Sequence, residues 1–214
     1  MRSRSRSSTV LQDRLAWQCA SLLLSYPDTA RLDTAERLLA HAEGIAAELL
    51  SRTAFELRRL DPLRAAQDYV QTFDMCRRTT MYLTYWTAGD TRNRGAAMLA
   101  FAAAYRAGGV APPRSEAPDY LPVVLEFAAT VDPDRGRRLL VEHRVAVDVL
   151  RDALTEAASP YAHAVGAVSA TLPPATHADL QRARRLAAAG APAEAVGLQP
   201  LTLSVPPRRN PGGD

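Results

Sequence analysis

From Leu11 onward, apolar residues return every three or four positions, and the residues between the runs are those that start and stop helices. Leu11, Leu15, Cys19, Leu22 and Tyr26 are spaced four, four, three and four apart, which predicts an amphipathic helix closing at the Tyr26-Pro27 step with Cys19 toward the core. Ala35, Leu38, Leu39, Ala42, Ile45, Ala46 and Leu49 continue the pattern and predict one helix from Arg31 to Leu50. Asp61 before Pro62 is a cap followed by proline at the first helical position; Leu63, Ala66, Val70 and Phe73 follow at helical spacing, and this helix is expected to run on through Trp86. Gly89 suits its end, Asp90 or Thr91 the cap of the next helix, and Gly108-Gly109 its close after Met98, Phe101 and Tyr105. Asp119 is read as the cap of a short helix through Ala129. Asp132-Pro133 opens a stripe of Leu140, His143, Val147, Leu150 and Leu154, and Ser159-Pro160 and Thr176 open two more helices. No segment sustains the period-two alternation of a strand. The expected fold is all-α, a compact bundle of about seven to nine helices.

A chain of 214 residues with 47% apolar content can bury roughly 70% of its unfolded surface, enough for one core. The expected organisation is a disordered tail over 1–8, a single helical domain over 9–189 and a disordered, Pro/Gly-rich tail over 190–214, where Pro192, Pro200, Pro206, Pro207 and Pro211 interrupt helical periodicity. The basic opening MRSRSRSS leads into SLLLSY, too short for a signal sequence, and no apolar run approaches the roughly 20 residues of a membrane span. A cytoplasmic protein without direct membrane insertion is expected.

The formal charge of +3 is a small, scattered excess, which argues against a nucleic-acid partner. All 26 basic residues are arginine, so Schiff-base and Walker-type lysine chemistry are excluded. Two cysteines, Cys19 and Cys76, make neither a disulfide framework nor a zinc motif. His41, His143, His163 and His177 lack ligand spacing to one another, and His143 is read as a core histidine. Neither a phosphate loop nor a nucleophile elbow occurs, and Asp74 and Glu126 are the carboxylates weighed for acid–base work.

The densest chemistry lies in TFDMCRRTTMYLTYWTAGDTRNRG, Thr72 to Gly95. On a continuous helix Asp74, Arg78 and Tyr82 share a face, beside a stripe of Arg77, Met81 and Tyr85. Arg92 and Arg94 fall in the first turn of the following helix, where the macrodipole disfavours cations, so acids must offset them: Asp74 and Asp90 within the fold, or acidic groups of a partner. A groove for an amphipathic peptide helix needs an apolar floor and a polar rim; Met81, Leu83 and Tyr85 are the candidate floor, and Asp74, Arg77, Arg78 and Arg94 the rim. A buried structural ion-pair network is the competing reading of the same charges.

YVQTFDMCRRTTMYLTYWTAGDTRNRG, with LAFAAAYRAGG and APDYLPVVLEFAA after it and LLLSYPD before it, resembles the delta-subunit assembly chaperones of respiratory nitrate reductase, the NarJ type within the TorD/DmsD-like chaperones. The likeness runs from about Leu22 to Leu154 and is most specific over residues 69–95. It implies an all-helical, non-catalytic protein without a cofactor of its own. Its partner would be the apo catalytic subunit of respiratory nitrate reductase, bound through an N-terminal segment. The subunit would be kept ready for molybdenum cofactor and iron–sulfur insertion before membrane docking, with molybdenum-cofactor delivery proteins as further candidate partners.

The family pattern matches Tyr69, Phe73, Asp74, Arg77, Arg78, Tyr82, Leu83, Thr84, Tyr85, Gly89, Asp90, Thr91, Arg92, Arg94 and Gly95, then Pro118, Asp119, Leu121, Pro122, Leu125, Glu126 and Phe127. Tyr120 stands where the family often has His, which favours hydrogen bonding or packing over proton transfer there, and Trp86 replaces a commoner Tyr. The candidate client-binding set is therefore Tyr69, Phe73, Asp74, Arg77, Arg78, Met81, Tyr82, Tyr85, Asp90, Arg92, Arg94, Asp119, Tyr120 and Glu126. A small helical metal- or nucleotide-dependent hydrolase is the alternative.

Overall fold

The computed structural model describes residues 2–89 and 92–190, the side chains of residues 2–7 and of Arg92 excepted. The tail expected beyond residue 190 and Asp90 therefore lie outside the described residues, as do the side chains of nearly all of the expected N-terminal tail. Among the described residues the fold is all-α, with eleven α-helices and one isolated antiparallel bridge between Tyr82 and Tyr120.

Helix α1 (Arg2–Leu24) is the hub, packing against α2 (Thr29–Leu39), α3 (Gly44–Arg58), α7 (Leu121–Thr130) and α10 (Tyr161–Thr171). Its buried face holds Ala16, Trp17, Cys19, Ala20, Leu23 and Leu24. Cys19 faces the core as its spacing predicts, and burial pushes its thiol up to about 12. Trp17 donates its indole N–H to Thr171 Oγ1 at 2.8 Å, which satisfies the polar end of a side chain only 2% exposed.

The remaining elements are α4 (Pro62–Tyr69), α5 (Tyr85–Ala88), α6 (Arg92–Ala107), α8 (Pro133–Glu142), α9 (Arg144–Glu156) and α11 (His177–Ala189). Three predicted starts hold in atomic detail. Asp61 accepts from Leu63 N and Arg64 N, Asp132 accepts from Arg135 N, and Thr176 forms a capping box with Asp179. Gly136 sets the closeness of α8 to α7: a Cβ there would fall on Ala128.

Four expectations are corrected. The helix expected from Arg31 to Leu50 is two helices, because residues 40–43 turn and Gly44 takes φ +82°. Gln12 fastens the turn, accepting from Glu43 N at 2.8 Å and donating to His41 O at 3.3 Å. Ile45, expected on the buried stripe, is consequently 69% exposed. The helix from Pro62 does not run on through Trp86: it widens into a π turn at Val70–Asp74, passes through a 3-10 turn at Arg77–Thr79 and resumes only at Tyr85. Asp119 does not cap α7; its carboxylate turns toward Thr84, and Pro122 in the first turn of α7 supplies the preset backbone angle instead. The helix count exceeds the seven to nine expected because of these breaks and of His143, which divides α8 from α9.

The stripe through that division is buried nonetheless, with Leu140, Val147, Leu150 and Leu154 all inaccessible. His143 sits in it as a structural residue, its Nδ1 2.9 Å from Leu139 O and its ring 4.7 Å from that of Phe101.

Candidate functional site

The segment between α4 and α6 is irregular because tertiary contacts replace helical ones. Met75 N donates to Val70 O at 3.0 Å, a five-residue span that widens the last turn and accompanies the inward placement of Tyr69 and Phe73. The rings stack at their edges: Tyr69 to Phe73 at 4.9 Å, Phe73 to Tyr161 at 4.9 Å and Tyr26 to Tyr69 at 5.5 Å. Farther on, Leu83 N donates to Asp119 O and Leu121 N to Met81 O, so the chain at 81–83 is laced along the approach to α7 as a single β-bridge.

Asp119 locks this crossing. It is fully buried and accepts from Thr84 N at 3.1 Å and from Thr84 Oγ1 at 2.6 Å. Arg94, reaching from the first turn of α6, lies 3.8 Å from the same carboxylate and 5.1 Å from the centroid of the Tyr82 ring. The offset for a cation at this helix start is therefore Asp119 and an aromatic face, where sequence reasoning named Asp74 and Asp90. Asp74 is exposed, and Asp90 lies outside the described residues.

Beside the crossing opens a cavity of about 440 Å³ between the end of α1, the π turn, the bridged residues 81–82 and α7. Tyr69, Phe73, Asp74, Met81, Tyr82, Tyr120 and Glu126 from the candidate set line it together. Tyr69 has one proton and gives it to Leu24 O at 3.1 Å, so in its 2.8 Å contact with Tyr120 it is Tyr120 that donates. Tyr120 keeps oxygen lone pairs for another donor. Burial raises the phenols of Tyr69 and Tyr82 and pushes Tyr120 up to about 12, so these hydroxyls stay protonated around neutrality. Carboxylates of Asp74, Glu116 and Glu126 stand around the aromatic wall, and the cation that lines the cavity, Arg31, is engaged with Asp28 and with Tyr26 O.

The rest of the candidate set lies elsewhere. Arg77 is exposed on the 3-10 turn and does not line this cavity. Arg78 faces a different groove, paired with Glu156 at 3.0 Å. Tyr85 packs edge-on against Trp86 at 5.6 Å, and Leu83, expected on the groove floor, is core at 1% exposure. The shared face of Asp74, Arg78 and Tyr82 is thus lost with the helix that would have made it. Arg92 begins α6, its side chain outside the described residues. Arg94 and Asp119 support the wall from behind.

Sequence reasoning missed Tyr26, Arg31, Ser115 and Glu116, which line the cavity as well. Tyr26 was visible only as a helix-ending residue, and Glu116 only as part of a Pro/Gly-rich loop; neither has a spacing that points to the cavity. Cys76 is half-buried, and a hydrogen bond with the Thr79 side chain lowers its thiol below the usual range. No group of three metal-ligating side chains occurs among the described residues, and no helix there is long and apolar enough to cross a membrane.

The model of the nitrate reductase delta subunit family matches residues 36–166. Nitrate reductase-like protein NarX of Mycobacterium tuberculosis (strain ATCC 25618 / H37Rv) is 66% identical over 157 residues, which are 73% of this chain but only 24% of NarX. The chain thus spans about a quarter of that relative. The Bacillus subtilis (strain 168) protein named as a probable nitrate reductase molybdenum cofactor assembly chaperone, NarJ, is 33% identical over 74% of this chain and 89% of its own length. A crystal structure assigned as a redox enzyme maturation protein from Archaeoglobus fulgidus superposes with a TM-score of 0.57 at 25% identity, covering 73% of this chain and 91% of that one.

Proposed function

The chain belongs to the nitrate reductase delta subunit family, and we propose that it is a non-catalytic assembly chaperone for the apo catalytic subunit of a nitrate reductase. It holds the client's N-terminal segment in the aromatic cavity while the molybdenum cofactor and an iron–sulfur cluster are inserted, and releases it before the subunit docks at the membrane. The naming of the Bacillus subtilis relative as a molybdenum cofactor assembly chaperone supports the reading.

The observation that carries it is the cavity itself. Rings of Tyr69, Phe73, Tyr82 and Tyr120 offer rigid apolar contact with little side-chain entropy to lose, and the Tyr120 oxygen offers a fixed acceptor. Asp74, Glu116 and Glu126 at the wall suit a segment that brings apolar side chains on one face and arginine or lysine beside them. Three or four buried anchors, less the cost of ordering the segment, give affinity of about micromolar order.

Calorimetric titration with the N-terminal peptide of the nitrate reductase catalytic subunit from the same organism is the test. One-to-one binding with a negative heat-capacity change is expected, weakened at least roughly tenfold by Asp74→Gln combined with Glu116→Gln and Glu126→Gln, and less salt-sensitive in that variant. Absence of binding over a range of pH and salt, or binding indifferent to the three substitutions, overturns the reading.

A further inference from the structure

Helix α3 buries Ala47, Leu50, Thr53, Ala54 and Leu57 and leaves its opposite side to solvent. On that side Ile45 is 69% and Phe55 59% exposed, with Glu48 and Arg52 exposed between them. A single apolar side chain at a surface needs no explanation, but these two share one stripe with a charge pair inside it, since positions 45, 48, 52 and 55 are spaced three, four and three apart. The stripe is symmetric in position about the buried Leu50. Glu48 and Arg52 stand two residues to either side of it, and Ile45 and Phe55 five. At about 100° per residue, all four side chains leave the helix within about 40° of the direction opposite Leu50. Arg59 lies 5.5 Å from the centroid of the Phe55 ring and covers one face of it.

We propose that this face is a homodimer interface, in which α3 packs antiparallel on α3 of a second copy about a two-fold axis level with Leu50. A two-fold contact is self-complementary: whatever a residue meets on the other copy meets it in return. With the axis at Leu50, positions equally far from it on opposite sides come together, so Glu48 of each copy faces Arg52 of the other and Ile45 faces Phe55. An axis level with residue 48 or 52 sets Glu48 against Glu48 or Arg52 against Arg52, so the charges select the register that also joins the apolar pair. The contact runs along about 15 Å of helix on each copy, the small and transient end of specific interfaces, and a dissociation constant of about 10 to 100 µM is expected. None of the lining residues of the aromatic cavity lies on α3, so this proposal does not depend on the client reading.

Sedimentation equilibrium of the full chain, at concentrations spanning that range, tests this. Glu48→Arg and Arg52→Glu are made singly and together, and the two single variants are also mixed in equal amounts. Each single variant sets like charges against each other twice across the axis and is expected to weaken self-association roughly tenfold or more. The double variant exchanges the two charges and the mixture pairs a basic seam with an acidic one, so both are expected to associate again, the mixture as a heterodimer. All four positions are exposed, and restoration on mixing is a result that no folding defect produces. A parent that stays monomeric at about 1 mM overturns the proposal. So do single variants that associate as the parent does, which puts any dimer on another face or in another register, and single variants whose mixture and double variant both stay monomeric.

Discussion

Two arginines from one short stretch, Arg94 and Arg78, each meet a carboxylate from a distant part of the chain, and the two pairs differ in almost everything but chemistry. Arg78 and Glu156 approach to 3.0 Å, with side chains 65% and 68% exposed. Arg94 and Asp119 stand at 3.8 Å, with Asp119 inaccessible, bonded twice to Thr84, and the guanidinium over Tyr82. The shorter contact is the weaker one, because water solvates both partners when they separate, whereas removing either partner of the longer contact strands a group in the core. Burial, rather than distance, ranks charges from this arginine-rich segment.

The hardest blow to that comparison is Asp119→Ala. It is expected to cost about 3 to 5 kcal/mol, measured by urea unfolding, since the Thr84 amide and hydroxyl lose their acceptor together with the ion pair. A loss no larger than that of Glu156→Ala would break the argument from burial. Next comes Tyr69→Phe, which deprives Leu24 O of its donor and Tyr120 of its acceptor; about 1 to 2 kcal/mol is expected, and less for Tyr120→Phe, which leaves the Leu24 bond intact.

Acid sharpens the comparison from another buried group. Burial lowers the His143 imidazole below its ordinary 6.5, against opposing influences from the Leu139 carbonyl, Glu142 and Asp119. The unfolded chain then takes up this proton more readily than the folded one. His143 therefore costs no stability above pH 6.5, and stability falls as pH drops from there toward the folded value. His143→Gln should flatten that part of a stability–pH profile measured by chemical unfolding.

The smallest effect belongs to Arg77→Glu with Arg78→Glu, worth about 0 to 1 kcal/mol in stability. Neither residue lines the aromatic cavity, so peptide affinity should change far less than on substitution of Asp74, Glu116 and Glu126. A collapse of binding on reversing the arginines would move the client to the groove beside Arg78.

The sequence carries the fold class in its three-and-four spacing and its Asp-Pro starts, because those signals are local. It carries much of the cavity lining too, but for a reason the structure replaces. Helical spacing puts Asp74 and Tyr82 on one face and Met81 on the stripe beside it; the three do line one cavity, yet through a π turn and a bridge to Tyr120 that no periodicity encodes. Asp119 looked like a helix cap because residue type and position suit one. Its real partner, Thr84, is 35 residues away, and such a contact leaves no local trace. Tyr26 and Glu116 were invisible for the same reason: their place at the site is set by where α1 and the 108–118 loop end up in space.

The widened turn at Val70–Asp74 makes the site a matter of counting as well as of chemistry. An α-helix completes a turn in about 3.6 residues, and a π turn fits roughly one residue more into the same revolution, so the chain leaves it nearly in phase with an ordinary helix one residue shorter. Removing one residue from Val70–Asp74 would therefore let ordinary winding return with little change of azimuth, whereas removing one from the regular turns of α4 before it would swing Phe73 and Asp74 by about 100°. The spare residue thus lets this turn absorb a lost codon that, one turn earlier, would shift the aromatic wall out of phase.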